Sequence, residues 1–333
     1  VISALFDNYG ILTDFVHLSF LTGIIVGFIY FRRRRVSIGG TLAIGYLASS
    51  LYAPLNVLAT IAVALVAFLL IRLVILKVFL PRPRQIFAIG LAVGVVLDAA
   101  WIAASTYFFP GTAEDDPLQL VGVIVPGMLC NSLVKQGVAK TLIPLAWMVP
   151  LSGAIGLAAA WLVPLSVSNT VFAPRGEATV ATNFALSAAS VIFAVIIQES
   201  TVRSVKLRTA GYVTAGVLAS SMLASPIVLA VIAVVVALVA AVWIPYSRRT
   251  PLFGKDRFFI LLMLSFTFSI TAEIALYAAA GTRFDGPQNI VFTVLPAIIV
   301  NDLVQYGPKR TAAGFGLSAA GCTTLATSIT LFA

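Results

Sequence analysis

Apolar residues run in blocks of about twenty along most of the chain, a length that crosses the hydrocarbon core of a bilayer as a helix. Basic residues interrupt these blocks almost entirely in clusters. Reading between the clusters predicts twelve segments, at roughly 15–31, 38–53, 55–80, 85–109, 118–134, 140–163, 179–197, 209–224, 226–246, 258–280, 288–304 and 310–332. Segments 38–53, 118–134, 209–224 and 288–304 are short, and re-entrant or broken paths are allowed where a segment lines a protein cavity. The long apolar–polar alternation of a transmembrane barrel is missing. The expected fold class is therefore all-α: a polytopic helical membrane protein with about 10–12 membrane segments, some short or broken, in two parallel repeats.

The charges sort by side. Basic residues cluster at Arg32–Arg35, at Arg72, Lys77, Arg82 and Arg84, at Lys135 and Lys140, at Arg203, Lys206 and Arg208, at Arg248, Arg249, Lys255 and Arg257, and at Lys309 and Arg310. These hold 19 of the 21 lysines and arginines, and all fall on one side if the segments alternate. The opposite side carries Arg175 and Arg283 with Glu114, Asp115, Asp116, Glu177 and Asp285. The positive-inside rule makes the basic side cytoplasmic, with both ends of this chain outward. The expected location is a bacterial cytoplasmic membrane. The chain opens on Val1 rather than Met, so the natural N-terminus is expected upstream, and no signal peptide with a cleavage site is read.

The halves repeat each other. Gly45-Tyr46-Leu47-Ala48-Ser49-Ser50 returns as Gly216-Val217-Leu218-Ala219-Ser220-Ser221, 171 positions on. Val125-Pro126-Gly127 through Asn131, Leu133-Val134, Gly137, Lys140 and Thr141 returns as Leu295-Pro296-Ala297 through Asn301, Leu303-Val304, Gly307, Arg310 and Thr311, 170 positions on. Arg84 falls near Arg257, and Asp98 near Glu273. The boundaries read as 15–163 for the first membrane repeat, 164–178 for an outward-facing linker, and 179–333 for the second repeat. Six segments per half give both repeats the same topology, related by an axis along the membrane normal, with their interface as the natural pathway.

Composition removes whole classes of chemistry. At 60% hydrophobic and 10% charged, the chain is neither a water-soluble globule nor disordered. His17 is the only histidine, and Cys130 and Cys322, the only cysteines, lie in apolar runs. That leaves no Cys/His zinc site and no Ser-His-Asp relay. Neither a phosphate loop nor a G-x-G-x-x-G turn is present. The net charge of +9 does not imply nucleic acid when its positions follow membrane topology.

The most distinctive stretch is Val121-Gly122-Val123-Ile124-Val125-Pro126-Gly127-Met128-Leu129-Cys130-Asn131-Ser132-Leu133-Val134-Lys135-Gln136-Gly137. It resembles the G-[VI]-I-V-P-G-L-[IL]-A-N-x-[IL]-x-[RK]-Q-G block of the poly-γ-glutamate synthase membrane subunit, the PgsC/CapC family. Gly40-Thr41-Leu42-Ala43-Ile44-Gly45-Tyr46-Leu47 is similar to that family's G-L-x-x-P-G-Y-L block, with Ile44 where the family has proline. Arg82-Pro83-Arg84 and then Asp98 fit the family order. The resemblance covers roughly 15–160, and 180–332 looks like a diverged second copy, a tandem form of a subunit that is normally single. It implies a membrane subunit of a poly-γ-glutamate synthase and export complex. That complex works with a cytoplasmic, Mur-ligase-like, ATP-dependent amide ligase. ATP and Mg would belong to the ligase, and this chain would carry no cofactor and no catalytic residue of its own.

Physically, Pro126 removes an amide donor and unwinds the preceding turn, and Gly127 permits close approach. A helix broken at membrane depth offers free backbone groups to a charged ligand. Asn131 lies one turn beyond Gly127 on the same face, Lys135 follows, Gln136 and Gly137 end the helix, and Lys140 opens the next. Pro296, Asn301 and Arg310 are the second-copy partners. A polymer with a carboxylate on every unit needs such amides and cations, held weakly enough to let go. Set against this, Pro126-Gly127 is a packing kink and Asn131 a helix–helix hydrogen bond. Asp98 and Glu273 are candidate proton or cation sites, or structural carboxylates. Arg32, Arg33, Arg34, Arg35, Arg82, Arg84 and Arg257 form a candidate ligase-docking face, or anchor the topology on anionic lipid. The pairs Gly23/Gly27 and Gly90/Gly94 read as close helix packing.

Three functions compete. A polymer conduit predicts a basic-lined path and dependence on a ligase. An ion-coupled secondary transporter of a small solute predicts a closed midplane site. A pure membrane scaffold predicts no polar path.

Overall fold

The computed structural model describes residues 9–36, 38–40, 42–78, 83–108, 124–162, 180–200, 207–224, 226–280 and 289–332. Twelve helices occur among them: α1 (Tyr9–Arg34), α2 (Ala43–Ser49), α3 (Pro54–Leu70), α4 (Pro83–Phe108), α5 (Val125–Gln136), α6 (Val138–Leu162), α7 (Val180–Ser200), α8 (Thr214–Ala224), α9 (Pro226–Arg249), α10 (Gly254–Ala280), α11 (Asn289–Tyr306) and α12 (Pro308–Phe332). Through a π-helical turn at Ile71–Ile75, α3 runs on into Leu76–Val78. No strand occurs among the described residues. The protein is an all-α polytopic membrane protein.

Prolines set several helix starts. α3, α4, α9 and α12 begin on one, and α5 has Pro126 in its first turn, where the missing amide costs nothing and the fixed φ suits a helix. Six stretches are long and apolar enough to cross a bilayer: Asp14–Arg34, Pro54–Val78, Gln85–Ala104, Val138–Leu162, Leu229–Arg249 and Gly254–Leu276. Their outward faces carry large apolar side chains, among them Leu58, Leu69, Leu73, Ile143 and Leu238, as lipid contact requires.

Three of the predicted segments depart from continuous helix in their described residues, 209–224 among them, where α8 starts only at Thr214. Within 38–53 the helix α2 has seven residues, all buried. Within 118–134 the described helix starts at Val125. At 1.5 Å rise per residue, α2 covers about 10 Å and α5 about 18 Å, less than a bilayer core of about 30 Å. Gly39, Gly40 and Gly45 in the first block, and Pro126-Gly127 in the second, disfavour continuous helix.

The chain forms two compact units, Val1–Val171 and Phe172–Ala333. Inside the first, α1, α2 and α6 pack together, as do α3, α4 and α5. Inside the second, α7, α8 and α12 form one group and α9, α10 and α11 the other. Each unit therefore repeats one scheme, in which its first two helices close on its last and its middle three close on each other. The linker 164–178 and the acidic positions Glu114, Asp115, Asp116, Glu177 and Asp285 lie outside the described residues.

Close approach of glycines builds the first unit. A Cβ on Gly23 of α1 would stand 2.7 Å from Cα of Gly45 in α2, and one on Gly127 of α5 would stand 2.8 Å from Cα of Leu91 in α4. A Cβ on Gly94 would in turn stand 3.1 Å from the amide nitrogen of Gly127. Both G-x-x-x-G pairs thus seat the short helices, Gly23/Gly27 beneath α2 and Gly90/Gly94 beneath α5. Phe20 closes edge-on against Tyr46 with ring centroids 5.2 Å apart.

Candidate functional site

The Pro126–Gly137 block spans α5 from its second residue to the glycine that caps it. Pro126 and Gly127 are buried, with Gly127 against α4. One turn on, the side-chain oxygen of Asn131 is buried and has no hydrogen-bond partner among the described residues. Its neighbour Ser132 accepts the amide of Gly39 at 2.9 Å, which ties the loop before α2 to α5. Gln136 is half-buried, and Lys135 and Lys140 are exposed. Gly137 caps the helix with φ 86°, its amide bonded to the Leu133 carbonyl at 3.0 Å. Its own carbonyl takes the Thr141 hydroxyl at 3.0 Å. The geometry is a helix seated at its start by a glycine contact, carrying an unpaired amide oxygen midway and a lysine in its last turn.

The second copy departs from this. Pro296 lies inside α11, which is helical from Asn289 onward, so the expected pair of matching helix breaks is not found. Membrane helices tolerate an interior proline when neighbours take up the freed carbonyl. The position of Gly127 is held by Ala297, fully buried. Asn301 is not unpaired as Asn131 is. Its Oδ1 accepts the Arg257 Nε at 3.1 Å, and Arg257 also donates to Gln305 Oε1 at 2.7 Å. Arg257, read from the sequence as docking surface, is joined to the substrate-path asparagine. Arg310 is exposed.

The two carboxylate candidates differ in setting. Asp98 in α4 is 1% exposed, and neither oxygen has a hydrogen-bond partner among the described residues. Glu273 in α10 is half-buried and has a partner. Arg32–Arg35 are exposed where α1 ends, with Arg32 over the Phe28 ring at 5.8 Å. Arg82 lies outside the described residues, and Arg84 falls in the first turn of α4. Both cysteines are buried and free, Cys130 in an apolar cluster with Ala67, Phe68, Ile71 and Leu133. Among the described residues, no three His, Cys, Asp or Glu stand together as a metal site.

A second polar cluster escaped sequence reasoning. Arg208, just before α8, is 9% exposed. It donates to Gln198 Oε1 at 2.6 Å and to the Tyr306 hydroxyl at 2.8 Å. Its guanidinium stacks 3.9 Å from the centroid of the Tyr306 ring. Gln198 donates to the Thr209 hydroxyl at 2.8 Å. In the sequence Arg208 is one of a basic cluster with Arg203 and Lys206. The available signal was comparative: Gln198, Arg208 and Tyr306 stand where the first copy has Gly27, Ser37 and Gln136.

The description "Capsule biosynthesis CapC" names the family whose model matches this chain, over residues 22–142 and again over 193–312. The two matches start 171 residues apart and end 170 apart, the same displacements as the internal repeat. The curated PGA biosynthesis protein CapC of Bacillus subtilis (strain 168) is 24% identical over 127 residues, 38% of this chain and 83% of that protein. No solved structure matches.

Proposed function

Because this chain belongs to the capsule biosynthesis CapC family, whose unit it carries twice, we propose that it forms the membrane conduit of a poly-γ-glutamate synthase and export complex. In this reading it docks a cytoplasmic, Mur-ligase-like amide ligase that brings ATP and Mg, while its own residues bind and pass the anionic product. The observation that carries the reading is the α5 arrangement. Asn131 Oδ1 is buried and unpaired among the described residues, on the helix that ends at Lys135 and Gly137 beside Lys140. A buried amide without a partner costs about 1–3 kcal/mol, a cost that a passing ligand amide would relieve. Arg32–Arg35 supply an exposed basic face for the ligase, on the cytoplasmic side by the positive-inside rule.

The test is reconstitution in cells that lack the complex. Polymer should reach the medium when this chain and a Mur-ligase-like amide ligase are expressed together, and not with either alone. Export by the chain and an unrelated soluble enzyme, or polymer release by the ligase alone, would overturn the assignment.

One observation favours a second reading, an ion-coupled transporter. Asp98 is a buried carboxylate whose oxygens lack hydrogen-bond partners among the described residues, a setting that marks proton and cation sites in membrane helices.

A further inference from the structure

Two guanidiniums in the second unit are held almost wholly by neutral groups. Arg208 donates to the Gln198 amide oxygen and the Tyr306 hydroxyl, and Arg257 donates to the Asn301 and Gln305 amide oxygens. Gln305 then donates to the same Tyr306 hydroxyl at 2.9 Å. An unbroken chain of hydrogen bonds therefore runs Arg208–Tyr306–Gln305–Arg257. Arg208 is nine-tenths buried, and its Nε is also buried without a partner among the described residues. Its backbone is fixed too, the amide donating to the Arg310 carbonyl at 3.3 Å. A Cβ on Gly314 would strike the Arg208 backbone. The side chain cannot swing out without breaking its hydrogen bonds to Gln198 and Tyr306 and the stack on the Tyr306 ring.

Burying a guanidinium is costly unless its hydrogen bonds are met. Here most are met by oxygens that leave the charge uncancelled. One carboxylate shares the field of both guanidiniums: Asp302, which accepts the amide of Gly211. Two cations against Asp302 leave the cluster one positive charge in excess. That matches a single carboxylate better than a doubly charged phosphate. Asp302 also keeps any anion weakly held, which a site that must release its ligand requires.

The first copy keeps counterparts of Arg257, Asn301 and Gln305, in Arg84, Asn131 and Lys135, but lacks the Arg208 side of the cluster. Gly27, Ser37, Ile38, Ser132 and Gln136 occupy the places of Gln198, Arg208, Thr209, Asp302 and Tyr306, at the repeat's displacements of 171 and 170. Ser132 there only receives the amide of Gly39. Five linked positions differ together: four of the differences bring in charge or hydrogen-bonding capacity, and the fifth, Tyr306 for Gln136, brings the ring on which Arg208 stacks. We propose that Arg208, Arg257, Gln305 and Tyr306 form a fixed binding site for one carboxylate, present in the second unit alone, so that the two copies play unequal parts. The site's chemistry is independent of the export reading; only the identity of its ligand as a γ-linked glutamate chain rests on it.

The test uses the full chain in lipid nanodiscs, titrated with a short γ-linked glutamate oligomer, with glutarate, and with inorganic phosphate, at low and high salt. Charge-assisted hydrogen bonds predict that Arg257→Gln weakens oligomer binding about tenfold or more and flattens its salt dependence. Tyr306→Phe, which keeps the stacked ring, should give a smaller loss, and Lys77→Gln, at an exposed first-copy lysine outside the proposed path, almost none. Arg257 is half-exposed, so its variant should fold, and a thermal melt checks this. Unchanged affinity in Arg257→Gln would overturn the site, as would a lowered melting temperature with unchanged affinity, which marks a structural latch. Tighter binding of phosphate than of either carboxylate, or no carboxylate binding by the parent chain, would overturn it equally. Glutarate binding that depends on Arg257, without oligomer binding, would keep the site and sink the polymer reading.

Discussion

Gly137 and Gly307, 170 positions apart, adopt the same left-handed backbone, with φ 86° and 88°. Each ends one helix one residue before the next begins, α5 before α6 and α11 before α12. The amide of each bonds four residues back, to Leu133 and Leu303, at 3.0 Å. The equivalence extends to the loops before α2 and α8, where Gly39 and Gly40 have φ 61° and 78°, and Ala210 and Gly211 have 55° and 109°. Two copies of one backbone have kept their turns while their side chains diverged.

A Cβ at Gly137 or Gly307 would meet nothing within 4 Å, so alanine there costs backbone strain alone. Left-handed φ in an L residue costs about 1–2 kcal/mol. Gly137→Ala and Gly307→Ala should each lower stability by about that amount, and asparagine, which tolerates this region better, should cost less. Thermal unfolding in detergent reads the difference. An alanine variant as stable as the parent would mean that the turn is not held in this conformation.

Packing separates two other glycines. A Cβ on Gly127 would lie 2.8 Å from Cα of Leu91 and 3.0 Å from the carbonyl oxygen of Gly90, both backbone atoms that cannot turn aside. Gly316 in α12 has nothing within 4 Å and an ordinary helical backbone. Gly127→Ala should push α5 off α4 and sharply reduce folded protein in the membrane. Gly316→Ala should stabilise its helix by about 0.5–1 kcal/mol. Size-exclusion yield and melting temperature of the pair test the contact, and equal behaviour would refute it.

Much of this fold was legible from the apolar blocks, because a bilayer demands about twenty apolar residues per crossing and punishes charge between them. The repeat was legible from Pro126, Asn131, Gly137 and their partners, which chance rarely aligns. The G-x-x-x-G pairs announced close packing without naming their partners, since Gly45 and Gly127 lie on other helices. Pro296 misled, because a proline inside a membrane helix and a proline that starts one look alike in sequence. The Arg208 cluster was hidden for a different reason. Its members come from the end of α7, the loop before α8, the start of α10 and the end of α11, so no local spacing joins them.

Sidedness follows from where the basic residues lie. Arg248 and Arg249 close α9, Arg32–Arg34 close α1, and Lys135 falls in the last turn of α5. In otherwise cysteine-depleted protein, a cysteine at Asp115 should react with an impermeant maleimide added outside cells, and one at Arg249 only after permeabilisation. Labelling of both from outside would invert or break the topology.

Asp98 sits 1% exposed on a helix long enough to cross the membrane. Asparagine has nearly its shape and no charge, so Asp98→Asn should leave membrane abundance unchanged or raised. If the carboxylate exchanges a proton or cation during transport, polymer in the medium should fall several-fold at that unchanged abundance. Full export from Asp98→Asn would remove this residue from the pathway and, with it, the case for ion coupling.

The last prediction separates a conduit from a scaffold. Asn131 is buried and unpaired among the described residues, while Lys135 and Lys140 are exposed beyond it. A passing carboxylate therefore meets Lys135 in water, where a unit charge at 4 Å is worth about 1 kcal/mol, and salt reduces it further. Reversing that charge with Lys135→Glu should slow export several-fold, more at low ionic strength than at high. Asn131→Ala removes a buried amide that only a ligand or a neighbouring helix would satisfy, so its effect should not depend on salt. Each variant is to be followed by polymer in the medium, ligase co-purification and membrane abundance together. Normal export at normal abundance in both would eliminate the conduit through α5. Export lost along with ligase binding would make α5 a docking element and favour the scaffold. The conduit reading expects export to fall while the ligase stays bound, because the changed residues would then touch the polymer and not the enzyme that makes it.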